Sequence, residues 1–405
     1  MRRSFVVLSL VGLSGVAGAR GLAGQQPVTR AQAVAAALER GARVALGRAD
    51  TAAARGFVRV ARAFPNPSFS ATYTKAVPQY HAIVDLPLDV PWLRAPRIGA
   101  AEFARAAARY GFAFERAAIR FDVDTTYTRA LATAAHARLS RHNARDADSL
   151  LTMARLRREV GDASELDVRL AAVNAGQLEN VASDDSLTSV AALLSVQLAM
   201  GLPGEESSIT LGDSLAPPPP ADSAVSGTAE PLPVAAAAAS LRSAERALTL
   251  AHRSVFGAPS LQLGVENGDP TGSEPGVLPT VGLSLPLPLF NWNGGVAAQA
   301  TAARDRARAE LDLVRRETGA QIARVRRERA AALARLDRDA RLLASADRVA
   351  GMSLQAYGEG AIPLANVLEA QRNAREALGR YIDALATAHT ALAAVQLLTA
   401  TSDQP

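Results

Sequence analysis

Four short stretches of the chain alternate apolar and polar residues with a period of two, the pattern of a β-strand whose two faces differ. In the clearest of them, apolar side chains stand at every second position: Val281, Leu283, Leu285 and Leu287. Pro286 and Pro288 lack an amide donor and are expected at the end of this strand. The stretches fall in two pairs, which predict two β-hairpins at about residues 67–91 and 259–289.

Long helical patterns fill most of the remaining chain. They are rich in Ala, carry a charged residue every few positions and contain no helix breaker for up to about sixty residues. We predict helices at residues 29–62, 97–159, 165–200, 234–255, 295–357 and 363–399. A helix of sixty residues is roughly 90 Å long. The sequence thus predicts a rod, mainly α with a small β part, in which each long helix pairs with two shorter ones stacked end to end.

The chain repeats its own organisation at an offset of 199 residues. GDASELDV, which starts at Gly161, aligns with GAIPLANV, which starts at Gly360, and the same offset places Val196 on Val395. We therefore predict two duplicated halves, each with the order helix, hairpin, long helix, tip and helix. The predicted parts are a first repeat over 29–200 with its tip at about 161, a Pro-rich linker over 201–233 near the middle of the rod, and a second repeat over 234–400 with its tip at about 358–360.

The amino terminus has the features of a secretory signal over residues 1–19. Two Arg residues precede an apolar run, and Ala-Gly-Ala follows it as a small-residue cleavage site. The later Ala-rich segments are interrupted by Arg, Asp or Glu, so we expect no helical membrane span. If the exported chain enters a membrane, we expect it to do so as strands.

Composition argues against a thick globular core and against binding of nucleic acid. Aromatic residues are 4% of the chain, which suits closely packed long helices. The net charge is +5, but the Arg residues alternate with Asp and Glu along the helices instead of forming one basic block. We interpret them as a solvated surface and expect no nucleic-acid partner.

No motif for catalysis is found. The only Lys, Lys75, follows no Gly-rich run, the five His include no pair at i,i+4 spacing, and the chain has no Cys. A Gly-x-Ser-x-Gly motif is also missing from the mature sequence. We therefore expect no enzyme activity, no cofactor and no bound metal.

The predicted strands have the eight to ten residues that cross a bilayer when tilted. Four strands do not close a barrel, however, and an open edge in lipid leaves backbone groups unsatisfied at several kcal/mol each. The pattern therefore predicts that several chains share one barrel.

Three motifs resemble the TolC-type outer-membrane efflux proteins. They are PLPLFN from Pro286, YGEG from Tyr357 and VLEAQ from Val367. The resemblance implies a homotrimer in the outer membrane, with a shared twelve-stranded β-barrel continued by an α-helical barrel in the periplasm. Such a tube is the passive exit duct of a tripartite efflux pump or a type I secretion system. It is gated at its periplasmic end, where a periplasmic adaptor (membrane fusion) protein and an inner-membrane pump engage it.

The resemblance also implies a site at the helical tip. Candidate gate residues are Asp167, Tyr357, Asn366 and Glu369, and candidate adaptor-docking positions are Gly161, Gly358 and Gly360. Structural alternatives exist for two of them. Asp167 follows Ser164 by three residues and is able to complete a helix cap, and Glu369 is able to pair with Arg372 or Arg375 on the surface.

Two other classes of protein share the export signal and the long helices. One is a periplasmic coiled-coil adaptor, which would normally carry a single helical hairpin between β domains and an inner-membrane anchor. The other is a soluble lipid-binding or scaffolding protein. The second of these would form no heat-modifiable, membrane-embedded oligomer.

Overall fold

A computed structural model describes residues 26–76, 78–203, 205–219, 230–267 and 276–401. The predicted signal peptide and most of the predicted turn of the second hairpin lie outside these residues. The elements in the first half are β1 (Gln26–Val28), α1 (Arg30–Arg40), α2 (Ala42–Arg62), β2 (Ser68–Tyr73), β3 (Tyr80–Pro87), α3 (Pro91–Glu159), α4 (Glu165–Ala199) and β4 (Ile209–Leu211). Those in the second half are α5 (Leu232–Arg253), a short 3₁₀ turn (Ser254–Phe256), β5 (Ser260–Asn267), β6 (Leu278–Ser284), α6 (Gly294–Gly358) and α7 (Leu364–Leu398).

The helices follow the predicted pattern with two differences. The segment predicted as one helix over 29–62 is split at Gly41, where the backbone is extended and an added Cβ would lie 2.4 Å from the carbonyl oxygen of Ala37. The long helix α3 begins at Pro91, six residues earlier than predicted. Proline suits this first position because its missing amide would have no helical partner there.

The two long helices and the helices that follow them keep the predicted offset. α3 ends at Glu159 and α6 at Gly358, while α4 and α7 have 35 residues each and begin at Glu165 and Leu364. Both spacings equal 199 residues. In space, α3 lies between the α2/α4 pair and the α5/α7 pair, and α6 packs on α5 and α7. The helices thus form one layer in which short helices are stacked along long ones.

The two hairpins pair with each other in a single antiparallel sheet of order β2-β3-β5-β6. The register aligns one apolar row across all four strands, composed of Phe69, Val84, Leu263 and Val281. The neighbouring row, on the opposite face, contains Ser70, Ile83, Gly264 and Thr280. The predicted division into an apolar and a mainly polar face is therefore confirmed across the sheet.

Both hairpins are shorter at their helical ends than predicted. β6 ends at Ser284, so Leu285 and Leu287 lie beyond the strand. Pro286 and Pro288 explain the early end, because neither has an amide to donate to a sheet ladder. Similarly, β3 ends at Pro87, before Leu88.

A small parallel sheet of β1 and β4, which no sequence pattern predicted, lies beside the middle of α3. The Tyr127 hydroxyl of α3 donates to the carbonyl oxygen of Val28, at 2.7 Å. Burial raises the pKa of Tyr127 to about 12. The buried Gln197 amide group bonds to Pro203, Glu206 and Ser208. Part of the predicted irregular linker is therefore folded against the helices.

One helix departs from the expectation that no segment is apolar enough to span a membrane. By length and composition α7 qualifies, because Asp383 is the only charged residue between Tyr381 and Leu398. Ala384, Leu385 and Ala388 of this region form a core cluster with Ala332 and Leu336 of α6. We attribute the apolarity of α7 to this packing within the helical layer.

Candidate functional site: the helical tip

The long helices end in the same type of turn. Gly161, with φ of 84°, donates to Arg158, and the next amide donates to Arg157. Gly360, with φ of 76°, donates to Tyr357, and the next amide donates to Ala356. These paired bonds form a Schellman motif, whose left-handed residue favours glycine. The turns that make the tip thus favour glycine at Gly161 and Gly360.

The third candidate glycine differs from the other two. Gly358 is the last residue of α6 and is not among the residues with positive φ. A Cβ placed on Gly358, Gly161 or Gly360 would meet no atom within 4 Å. All three are therefore open at the surface of the single chain, but only Gly161 and Gly360 are held in a conformation that disfavours other residues.

Asp167 lies in the first turn of α4, where it completes a capping box with Ser164. Its amide donates to the Ser164 hydroxyl oxygen at 3.1 Å, and its carboxylate accepts from the Ser164 amide at 3.1 Å. The carboxylate also stands at the positive end of the α4 dipole. This geometry is the helix cap that the spacing to Ser164 predicts, and it leaves a half-buried acid close to the tip.

Asn366 and Glu369 are exposed on the first turns of α7. The Glu369 carboxylate accepts from Arg372 at 2.8 Å, and its side chain is 55% exposed. A surface ion pair of this kind contributes little to stability, about 0–1 kcal/mol. Glu369 is therefore free, on energetic grounds, to exchange Arg372 for another partner.

Tyr357 is buried, with 4% of its surface exposed. It belongs to a core cluster composed of Leu150, Leu151, Ala154, Ala171, Leu364 and Val367. The guanidinium of Arg157 lies over its ring, 4.6 Å from the centroid, and donates to the carbonyl oxygen of Gly358 at 3.4 Å. A cation over an aromatic face is attracted by the ring quadrupole. Tyr357 and Arg157 thus tie the end of α3 to the end of α6 within one chain.

Sequence reasoning did not find Arg157. It is one of many Arg residues on a long helix, and nothing in its local sequence marks it. Only the fold brings it to Tyr357, 200 positions further on. The structure does not bring all four gate candidates into one cluster, since Tyr357 is buried between helices, Asp167 is half-buried, and Asn366 and Glu369 are exposed.

The opposite end of the helical layer carries exposed aromatic residues. They stand where helices meet strands: Phe64 (70% exposed), Trp92 (54%), Phe256 (56%), Phe290 (100%) and Trp292 (68%). Both Trp residues of the chain are in this group. Next to them, the guanidinium of Arg94 lies 4.1 Å from the centroid of the Phe64 ring. Trp and Tyr rings are enriched at the interface between membrane and water, and Arg side chains near helix ends extend to it.

The part of the chain that the structure describes contains no cluster of three or more His, Asp or Glu side chains able to hold a metal ion.

Residues 229–401 match the Outer membrane efflux protein family. No curated protein matches the chain. Among solved structures, a membrane protein from Pseudomonas aeruginosa is 18% identical with a TM-score of 0.76, covering 92% of this chain and 93% of its own. The outer membrane protein VceC from Vibrio cholerae is 16% identical with a TM-score of 0.74, covering 92% and 96%. The MtrE outer membrane channel of Neisseria gonorrhoeae is 15% identical with a TM-score of 0.73, covering 91% and 88%.

The resemblance found in the sequence is confirmed, and the likeness in fold extends over nearly the whole chain.

Proposed function

We propose that this chain, a member of the outer membrane efflux protein family, forms the outer-membrane exit duct of a tripartite efflux pump or type I secretion system. The observation that carries the proposal is the sheet, whose apolar row is aligned over four strands and exposed to the surroundings. Phe69, Val281 and Leu283 on this face are about 70% exposed. An apolar face of this kind is stable in the hydrocarbon of a bilayer.

The proposed assembly is a trimer with a twelve-stranded barrel. The sheet is open at β2 and at β6, and closing a barrel is what satisfies such edges in a membrane. The helical layer has matching apolar edges. On α2 the exposed residues are Leu46, Phe57 and Val60, and on α6 they include Val296 and Leu313. Contact between α6 of one chain and α2 of the next would bury both edges.

The two-repeat organisation supports the same proposal. We infer that residues 29–200 and 234–400 arose by duplication, because the helix ends and the Schellman turns keep the offset of 199 residues. Three chains with two repeats each would present six equivalent tips to a periplasmic adaptor protein. The inner-membrane pump would supply the energy, while the duct itself performs no chemistry.

Membrane insertion tests the proposal directly. In a Gram-negative host, the full chain should fractionate with the outer membrane and run on an unboiled gel as a trimer that boiling converts to monomer. The exposed apolar sheet and the aromatic residues at its base are the physical reason. A chain recovered as a soluble periplasmic protein would instead favour the adaptor or scaffolding alternatives.

The gate is the second part of the proposal. Asp167 and Glu369 from three chains would place six carboxylates around the periplasmic opening, where low-dielectric walls strengthen their field. Asn366, at the position equivalent to Asp167, would contribute a polar group. Tyr357, which is buried, would support the gate indirectly by holding α6 and α7 against α3.

The ring of carboxylates should favour cations. We expect Asp167→Asn with Glu369→Gln to lower cation selectivity in planar bilayers at low salt, and the difference to fade at 1 M salt, where the Debye length is about 3 Å. At this third helical position the asparagine side-chain oxygen is still able to accept from the Ser164 amide, so the capping box and the trimers should persist. Glu376→Gln on the same helix, which removes a carboxylate paired with Arg380, is the control. Equal reversal potentials for the double variant and the parent would mean that Asp167 acts only as part of the helix cap and Glu369 only in its surface pair with Arg372.

A further inference from the structure

A groove between α2 and α3 concentrates positive charge. It has a volume of about 460 Å³ and is lined by Arg48, Thr51, Arg55, Arg105, Arg109, Phe112, Ala113 and Arg116. On each helix the arginines recur at spacings that share one face, seven residues apart on α2 and four and seven apart on α3. Five guanidinium groups therefore converge on one surface depression.

These arginines have no carboxylate partner among the described residues. Arg48 and Arg55 donate only to backbone carbonyl oxygens, at 3.4–3.5 Å. The two acids in this part of α3 bind arginines outside the groove, since Glu102 pairs with Arg62 and Glu115 with Arg43. This arrangement contrasts with the long helices elsewhere, where arginines pair with acids one turn away. The groove thus holds about five uncompensated positive charges.

The groove lies on one broad face of the helical layer, away from its apolar edge. Arg109 precedes Tyr127 by 18 residues, which is five helical turns. It is therefore on the side of α3 whose Tyr127 contacts β1 and the segment before α5. In the proposed trimer this is the outer side, because three copies of that segment would obstruct a central passage. Leu46, Phe57 and Val60 lie on a different side of α2 and leave the groove open.

We propose that this groove binds a soluble anion that carries several phosphate groups. Guanidinium groups form paired, charge-assisted hydrogen bonds with phosphate oxygens. A short polyphosphate chain matches about five charges within the volume of the groove. Helix length argues against a membrane lipid, because the groove arginines of α3, from Arg105 to Arg116, are 14 to 25 residues from the start of the helix at the sheet, a distance of roughly 21–37 Å. The position of the groove on the outer side rests on the proposed function, but its charge and binding do not.

The test is calorimetry of the purified, detergent-solubilised full chain with inorganic tripolyphosphate at low salt. We expect one saturable site per chain, weakened by added salt, and at least tenfold weaker binding in the Arg105→Gln, Arg109→Gln variant. The control variant, Arg326→Gln with Arg327→Gln, removes the same charge from exposed positions on α6 that have no ion pair among the described residues. It should bind as the parent does. If the double variant fails to assemble, the affinity for tripolyphosphate is measured with the single variant Arg109→Gln instead.

The proposal would be overturned by no saturable binding, by an equal loss of affinity in the control variant, or by equal binding of an oligoglutamate peptide with the same dependence on Arg105 and Arg109. Tighter binding of a short-chain anionic phospholipid than of tripolyphosphate would likewise reject a soluble anion. Because no transport is measured, these outcomes are independent of channel activity. A chain that fails to form trimers but still binds tripolyphosphate would refute the proposed duct and support the groove.

Discussion

Val281→Arg should abolish accumulation of the trimer in the outer membrane, while Thr280→Arg, one residue earlier on β6, should assemble. Val281 is 73% exposed in the apolar row of the sheet. An Arg on the lipid face of a barrel costs about 2–4 kcal/mol near the bilayer midplane, and each trimer would carry three. Thr280 lies on the other face, opposite Gly264, where the new side chain has room to reach water.

The two variants add the same charge to the same strand at nearly the same depth in the membrane. Their comparison therefore tests only which face of the sheet contacts lipid. The measurement is the fraction of chain that runs as a heat-modifiable trimer in the outer-membrane fraction. Equal assembly of both variants would mean that the apolar row does not face lipid. Leu285 is a weaker position for this test than the strand pattern indicates, because it lies beyond the end of β6.

Local patterns were sufficient to predict the elements that depend on local physics. The two-residue period determined the faces of the strands, because successive side chains in a strand point to opposite sides. The helix-breaking glycines located the ends of α3 and α6, since Gly161 and Gly360 adopt the left-handed conformation that closes each helix. The strands were predicted to extend too far for a reason that is also local, because Pro87, Pro286 and Pro288 have no amide to donate to the sheet.

Contacts between distant segments were not predictable in the same way. The pairing of β1 with β4 joins three-residue strands about 180 positions apart, and neither strand has a distinctive pattern. The contact of Arg157 with Tyr357 depends on how α3 and α6 approach each other. The same limit applied to the arginine groove, where the sequence showed arginines interleaved with acids. Only the structure shows that Glu102 and Glu115 pair away from the groove.

The candidate site illustrates both cases. The cap alternative for Asp167 followed from its spacing to Ser164, and the structure has that cap. The pairing of Glu369 with Arg372 also followed from spacing. Burial of Tyr357 did not, because its neighbours come from three helices. These observations leave the gate itself as a proposal about the trimer.

The tips should be the positions where bulk alone stops export. At Gly360 a Trp side chain would project into open space, since no atom lies within 4 Å of an added Cβ. It would also adopt a left-handed conformation that costs roughly 1–2 kcal/mol for an ordinary residue. This strain is small compared with the contacts that hold α6 and α7 together, so we expect Gly360→Trp to form normal trimers and to lose export through obstruction of the adaptor.

Gly360→Asn separates obstruction from strain. Asparagine tolerates the left-handed region better than other residues and adds little bulk, so it should retain most export, whereas Trp should abolish it. Gly161→Trp should behave as Gly360→Trp does, because the two turns have the same hydrogen bonds. Gly319→Trp, at an open helical position in the middle of α6, controls for the addition of an aromatic residue.

Export is measured in a strain whose only duct is the variant, alongside trimer content. If Gly360→Trp exports normally with normal trimers, the adaptor docks elsewhere on the duct. If Asn and Trp lose export equally, the turn conformation governs docking and the bulk of the side chain does not.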